Sequence, residues 1–190
     1  MDTPAPAKLY AYVDESGQDT RGALFVVSVV VTGGEREALR RRLHRIERLS
    51  GKRERKWTNA RPAQRAAYIR QVLQVRELYG ALYYTHYENT RSYVDCSILS
   101  TARAVLAHVP SHQATVLVDG LSRAERRRFA AGLRHHRVSV SKVRGVQEQS
   151  DALSRLADAL AGFVRAGIQG DSVMQALLRQ ARDAGNIREA

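Results

Sequence analysis

The chain has little cysteine, little proline, few aromatic residues and few lysines. Cys96 is the one cysteine among 190 residues. Neither an intramolecular disulfide nor a cysteine-rich zinc site can form, and a reducing cytoplasm is the simplest home. The four prolines are scattered, and no repeat, low-complexity tract or clear linker divides the chain. The longest apolar run, ALFVVSVVV at 23–31, is interrupted by Ser28 and is far shorter than the roughly 20 residues a membrane helix needs. The leader MDTPAPAK lacks a basic stretch followed by an apolar one, so no secretory signal is visible in it. Membrane-spanning and disulfide-stapled classes are set aside, and one compact domain with a single sizeable core is the expectation.

What is abundant is positive charge. Thirty-one Lys and Arg face nineteen Asp and Glu, for a formal charge of +12 and a pI near 10.5. Such a balance favours a polyanionic partner through counterion release, with nucleic acid, RNA or DNA, first among them. The excess is almost wholly arginine, which GC-rich coding also produces, so charge names a partner class and no reaction.

Periodicity alternates along the chain. Residues 8–14 and 23–32 read as strands joined by the polar turn ESGQDTRG, an antiparallel hairpin. Leu39, Leu43, Ile46 and Leu49 then recur at helical spacing among Arg40, Arg41, Arg42, Arg45 and Arg48, giving a basic amphipathic helix that ends near Gly51. A second helix is expected from Pro62 to about Glu77. LYGALYYTHY reads as a strand, RSYVDCSILSTARAVLAH as a helix stopped by Pro110, and ATVLVDG as a short, fully apolar strand. A basic helix (SRAERRRFAAGLRHH), a strand (RVSVSKV), a helix from Ser150 to about Ala166 and a weaker polar helix complete the order. The result is an α/β chain, a mixed five-stranded sheet with an antiparallel hairpin and parallel strands, covered by helices.

Two acids close strands in this order. Asp14 ends the first strand and Asp119 ends TVLVD. In an α/β sheet, ligands bind at the carboxyl ends of strands. If the two strands are parallel neighbours about 4.8 Å apart, their carboxylates can share a divalent cation, which would relieve their repulsion. The plain alternative is that DESG is a turn and that Asp119 starts the next helix. Glu15 fits a shared ion less well: alternation puts Asp14 with Tyr12 and Tyr10, and Glu15 with Val13.

YAYVDESG at the start, ERKW at 54–57, the buried VLVDG and QSDALSRLADALAGFVR near the end resemble the bacterial and phage family catalogued as domain of unknown function 3800. The likeness runs from about Leu9 to Ala166, with YVDESG and LADALAG its most specific pieces. It implies a ribonuclease H-like fold over residues 1–170, with 171–190 as a C-terminal helical tail packed on it or extending from it. It also implies a metal-dependent nuclease centre, with Asp14 and Asp119 as strand-borne ligands, Asp158 as a helix-borne one, and Glu15 or Glu54 as a further acid. Lys56 would contact phosphate. Two Mg²⁺ or Mn²⁺ ions would serve phosphodiester hydrolysis in such a centre. Arg45, Arg123 and Arg127, with their neighbours, would hold the substrate backbone.

Periodicity itself places Asp158 on the polar side of a helix whose other side carries Leu153, Leu156, Leu160, Phe163 and Val164. Ser154, Ala161 and Gly162 lie on that polar side as a notch of small residues. Asp151 reads as a first-turn acid behind a Ser150 cap, about 10 Å from Asp158 along the axis and too far to share its ion. His108 and His112 are expected at the surface, separated by Pro110. Tyr79, Tyr83, Tyr84 and Tyr87 read as core and edge packing, with base stacking as the sharper option. Trp57 is either a core anchor or a stacking platform. The alternative to a nuclease is a non-catalytic module on the same fold that binds nucleic acid or another partner; the sequence sets no oligomeric state and leaves a homodimer open.

Overall fold

A computed structural model describes residues 5–146 and 151–190. Six strands form one mixed sheet: β1 (Ala7–Ser16), β2 (Leu24–Thr32), β3 (Leu82–Glu88), β4 (His112–Asp119), β5 (Val140–Val146) and β6 (Ile187–Glu189). Their spatial order is β5-β4-β1-β2-β3-β6. The β1-β2-β3 meander is antiparallel, whereas β4 runs parallel to both β1 and β5, and β6 runs parallel to β3. The hairpin and the parallel pairing expected from the apolar β4 are both present.

Helices cover both faces. On one side lie α1 (Arg36–Leu49), α2 (Pro62–Val72), α5 (Ala152–Ile168) and α6 (Ser172–Asp183), sharing a core with Tyr12, Val26, Val30 and Leu117. On the other lie α3 (Tyr93–His108) and α4 (Arg123–His135), over Leu9, Ala11, Val13, Phe25 and Val27. Every residue of β2 is buried, which is why its sequence is nearly continuous in valine rather than alternating.

Three expectations change. The sheet has six strands rather than five: Ile187–Glu189 in the tail pairs with Leu82–Tyr84. Three residues are too few to show a period of two. The tail is therefore not helical throughout, and Met174, Leu177, Leu178, Ala181 and Ile187 join the same core as α5. The second helix ends at Val72 and a separate 3-10 turn follows at Arg76–Leu78. The cap of α5 is Asp151, whose carboxylate accepts the Leu153 N–H at 2.9 Å; Ser150 lies outside the described residues.

Candidate functional site

The register of β1 against β4 decides where the strand-borne acids stand. Val13 pairs with Val118 in the parallel ladder, so the next residues, Asp14 and Asp119, lie side by side where that ladder stops; Asp119 ends β4, but Asp14 does not end β1, which continues along β2 to Ser16. Neighbouring strands are spaced by about 4.8 Å. Alternation from Tyr12 and from Leu117, both in the α5-side core, turns both carboxylates toward that face. Both residues are half-buried. Asp14 Oδ1 accepts the Glu15 N–H at 2.8 Å. Gly17 lets the chain leave the sheet immediately afterwards: its φ is 104°, and a Cβ there would stand 2.1 Å from the Leu24 carbonyl oxygen.

The helix-borne acid approaches from above. Ser28, buried in the middle of β2 and paired with Asp14, donates its hydroxyl to the Ala157 carbonyl at 2.7 Å. α5 is pinned at two further points. Near its start Arg40 holds the Asp151 carboxylate (Nε to Oδ1 at 3.1 Å) and reaches the Tyr12 hydroxyl at 2.9 Å. Near its end Arg165 donates to Asp19 at 2.8 Å and lies 3.5 Å from the Ser16 hydroxyl. Asp158 falls between these anchors, next to the Ala157 whose carbonyl Ser28 holds. Burial pushes the Tyr12 phenol up to about 12, with Asp151 adding to the rise, and the Arg165 guanidinium holds the Asp19 carboxyl below its ordinary value.

Asp158 is not on a solvated side. α5 is buried nearly all round, and the segment 52–60 closes over its polar side. Asp158 Oδ2 accepts the Trp57 N–H at 2.6 Å, at the start of the 3-10 turn Trp57–Asn59. The indole occupies the notch of small residues: a Cβ on Gly162 would stand 2.2 Å from Trp57 Cδ1. Trp57 is thus a core anchor, with only 5% of its surface exposed.

Glu15 and Glu54 stand elsewhere. Because β1 continues to Ser16, Glu15 faces α3, where Ser97 donates its hydroxyl to Oε1 and the Gln18 amide donates to Oε2 at 2.8 Å. Burial raises the Glu15 carboxyl above its ordinary value, against the lowering effect of these two bonds. Glu54 is exposed and approaches His44 of α1, with 3.8 Å between Oε1 and Nδ1. Arg45 lines a groove between α1, α2 and α6 rather than the strand ends. Arg123 and Arg127 are exposed on α4, which begins four residues beyond Asp119. Lys56 is half-buried and immediately precedes Trp57. His112 is not at the surface: it is buried, accepts the Ser139 N–H at Nε2 and lies 2.7 Å from the Val109 carbonyl through Nδ1.

Among the described residues, no three His, Cys, Asp or Glu side chains form a group able to hold a metal ion. What converges is a pair, Asp14 and Asp119, whose hard oxygen donors suit a divalent cation. The third acid is engaged with a backbone N–H. Sequence reasoning missed Ser28, although a lone serine inside a valine run marks a polar demand in a buried strand. It also missed the buried Glu47–Arg155 pair, Nε to Oε1 at 2.7 Å, which ties α1 to α5 beside the Asp158 turn.

The order of strands, the helices on both faces and the paired acids at the sheet's end define an α/β chain of the ribonuclease H-like fold. Solved structures that share it include the ribonuclease H2 from Pyrococcus horikoshii OT3, 17% identical, TM-score 0.56, with 93% of this chain and 77% of that one covered. Another is the RNase HII of Archaeoglobus fulgidus in its complex with PCNA, 13% identical, TM-score 0.51, covering 95% and 91%. At these identities the likeness is one of fold. No family model and no curated protein sequence matches the chain. No helix among the described residues is long and apolar enough to cross a membrane.

Proposed function

We propose that this chain is a divalent-metal-dependent nuclease that hydrolyses phosphodiester bonds in RNA or DNA, of the kind its resemblance to the domain of unknown function 3800 family implies. One observation carries the reading: Asp14 and Asp119 follow the last pair of the parallel ladder between β1 and β4, side by side and on one face. Two carboxylates that close repel each other, and a cation between them removes the conflict. The pair is the seat of Mg²⁺ or Mn²⁺, with Asp158 on α5 as the third acid. A bound divalent ion supplies an activated water and neutralises charge on the scissile phosphate. The protein's own residues do the rest. Asp158 holds the Trp57 N–H, fixing the segment that carries Lys56, whose ammonium contacts phosphate; Arg123 and Arg127, just beyond Asp119, hold the backbone of the strand without reading its sequence. Glu15, turned to the opposite face, and Glu54, beside His44, take no part in ion binding.

The absence of a three-acid group among the described residues favours a second reading, a nucleic-acid-binding module without catalysis. Incubation with labelled single- and double-stranded RNA and DNA under Mg²⁺, Mn²⁺ and EDTA separates the two. The nuclease reading expects cleavage that requires the metal and falls by roughly a hundredfold or more in Asp14→Asn and in Asp119→Asn. A wild type that shifts these substrates but leaves them uncut establishes the binding module instead.

A further inference from the structure

A second basic surface lies apart from the carboxylates. The outer side of α1, the end of α2 with the turn after it, and α6 enclose a groove of about 1240 Å³. Arg41, Arg45 and Arg48 enter it from successive turns of α1, and Arg70 enters from α2. All four are exposed. The acid in the groove, Glu77, is bound through both oxygens by Arg42, at 2.9 and 3.0 Å. Among the described residues no carboxylate pairs with Arg41, Arg45, Arg48 or Arg70. Four guanidinium groups held together without counter-charge repel one another and call for an anion. At the rim stands Tyr79, 53% exposed, where most of the chain's other tyrosines are packed away.

We infer that this groove binds single-stranded nucleic acid, with phosphates on the α1 arginines and Arg70 and a base stacked on Tyr79. The aromatic ring selects that partner over an acidic polypeptide, and over a duplex, whose bases are already stacked. The inference takes its partner class from the proposed function but does not require that the carboxylates cut. Binding here would anchor a strand at a distance from Asp14 and Asp119, since neither of them, nor Asp158, lines the groove.

The test is fluorescence anisotropy in EDTA with short labelled oligothymidylate and oligouridylate, a duplex of equal length and polyglutamate, across a KCl series. EDTA separates this claim from hydrolysis, so a wild type that never cuts leaves the test intact. The wild type is expected to bind the single strands more tightly than the duplex or polyglutamate. The triple variant Arg41→Ser, Arg45→Ser, Arg48→Ser should lose roughly tenfold or more, with the salt slope falling by about 2. The same three positions changed to Lys should restore the slope and confirm that charge, not folding, was lost. Tyr79→Ala should weaken single-strand binding roughly fivefold or more with the slope unchanged. Unaltered binding in the Ser variant overturns the inference. So does polyglutamate or duplex binding as tightly as the single strands, or a Tyr79→Ala variant equal to wild type.

Discussion

On the α3–α4 face of the sheet many of the buried polar groups are hydroxyls satisfied close to home, with the half-buried Glu15 carboxylate also on that side. Thr101 donates to the Ser97 carbonyl one turn back in its own helix at 2.7 Å, and the Ser97 hydroxyl, which bonds Glu15, lies 2.9 Å from the Tyr93 carbonyl, within a core of Leu9, Val13, Phe25 and Phe129. On the α5 face, beside the Ser28 hydroxyl, charged groups are buried and join separate elements. Arg155 and Glu47, with 2% and 1% of their side chains exposed, tie α5 to α1. Lys52, fully buried, donates to the Arg55 carbonyl at 2.6 Å and lies 4.9 Å from the centre of the Tyr68 ring. Asp158 holds Trp57. The first arrangement needs only a helix to form, whereas the second needs α1, the segment 52–60 and α5 all in place. It therefore couples the scaffold to Asp14 on β1 and to Asp119 at the end of β4. Asp14 and Glu15 express the same division at one point: consecutive residues, one facing each side.

The largest break in this contrast comes from Arg155→Ala, which takes the guanidinium from the buried Glu47 carboxylate and leaves it His44, 3.4 Å away and half-exposed. Urea unfolding should show a loss of about 3–5 kcal/mol, and the double change Arg155→Met with Glu47→Leu should recover most of it. A loss below about 1 kcal/mol, the value of an exposed pair, would mean that the pair is not a structural tie.

Next in size is Gly162→Ala. The added methyl meets the Trp57 indole at 2.2 Å, so the ring must move and the Asp158 contact with it. Overpacking of this kind costs about 1–3 kcal/mol, set against the gain of roughly 1 kcal/mol for alanine in a helix. The signature is a fall in metal-dependent activity larger than the small net change in stability; equal activity would show that the Trp57 position is irrelevant to the site.

The smallest effect is expected on the other face, from Glu15→Gln. Burial favours the protonated form of Glu15 in the folded chain. As pH rises, the unfolded chain therefore gives up its proton first, and stability falls between the ordinary glutamate range and the raised folded value. Glutamine removes that fall: thermal unfolding should show a melting temperature equal to or slightly above wild type at neutral pH and a flatter profile through the acid range. A drop at neutral pH would show that the charge itself is needed there.

Much of this division could be read from the chain before its coordinates. Alternation along YAYVDESG separates Asp14 from Glu15, and the apolar brevity of TVLV implies the parallel neighbour that brings Asp119 alongside. The helix-borne acid was less legible. A period of 3.6 divides α5 into an apolar and a polar side, but it does not say that the polar side meets protein rather than water. Gly162 and Ser154 mark the close approach, yet nothing local identifies Trp57, about a hundred residues earlier, as what fills it. Glu54 lies in a segment without periodicity, so its place beside His44 depends on how α1 packs. β6 is too short to show any pattern.

The most direct measurement of the central claim is titration of Mn²⁺ into the wild type, Asp14→Asn, Asp119→Asn and Glu15→Gln, followed by calorimetry. The account predicts saturable binding by the wild type and by Glu15→Gln, and affinity reduced by roughly tenfold or more in each Asp→Asn variant. Equal binding by Asp14→Asn or Asp119→Asn, or its loss in Glu15→Gln alone, would contradict it.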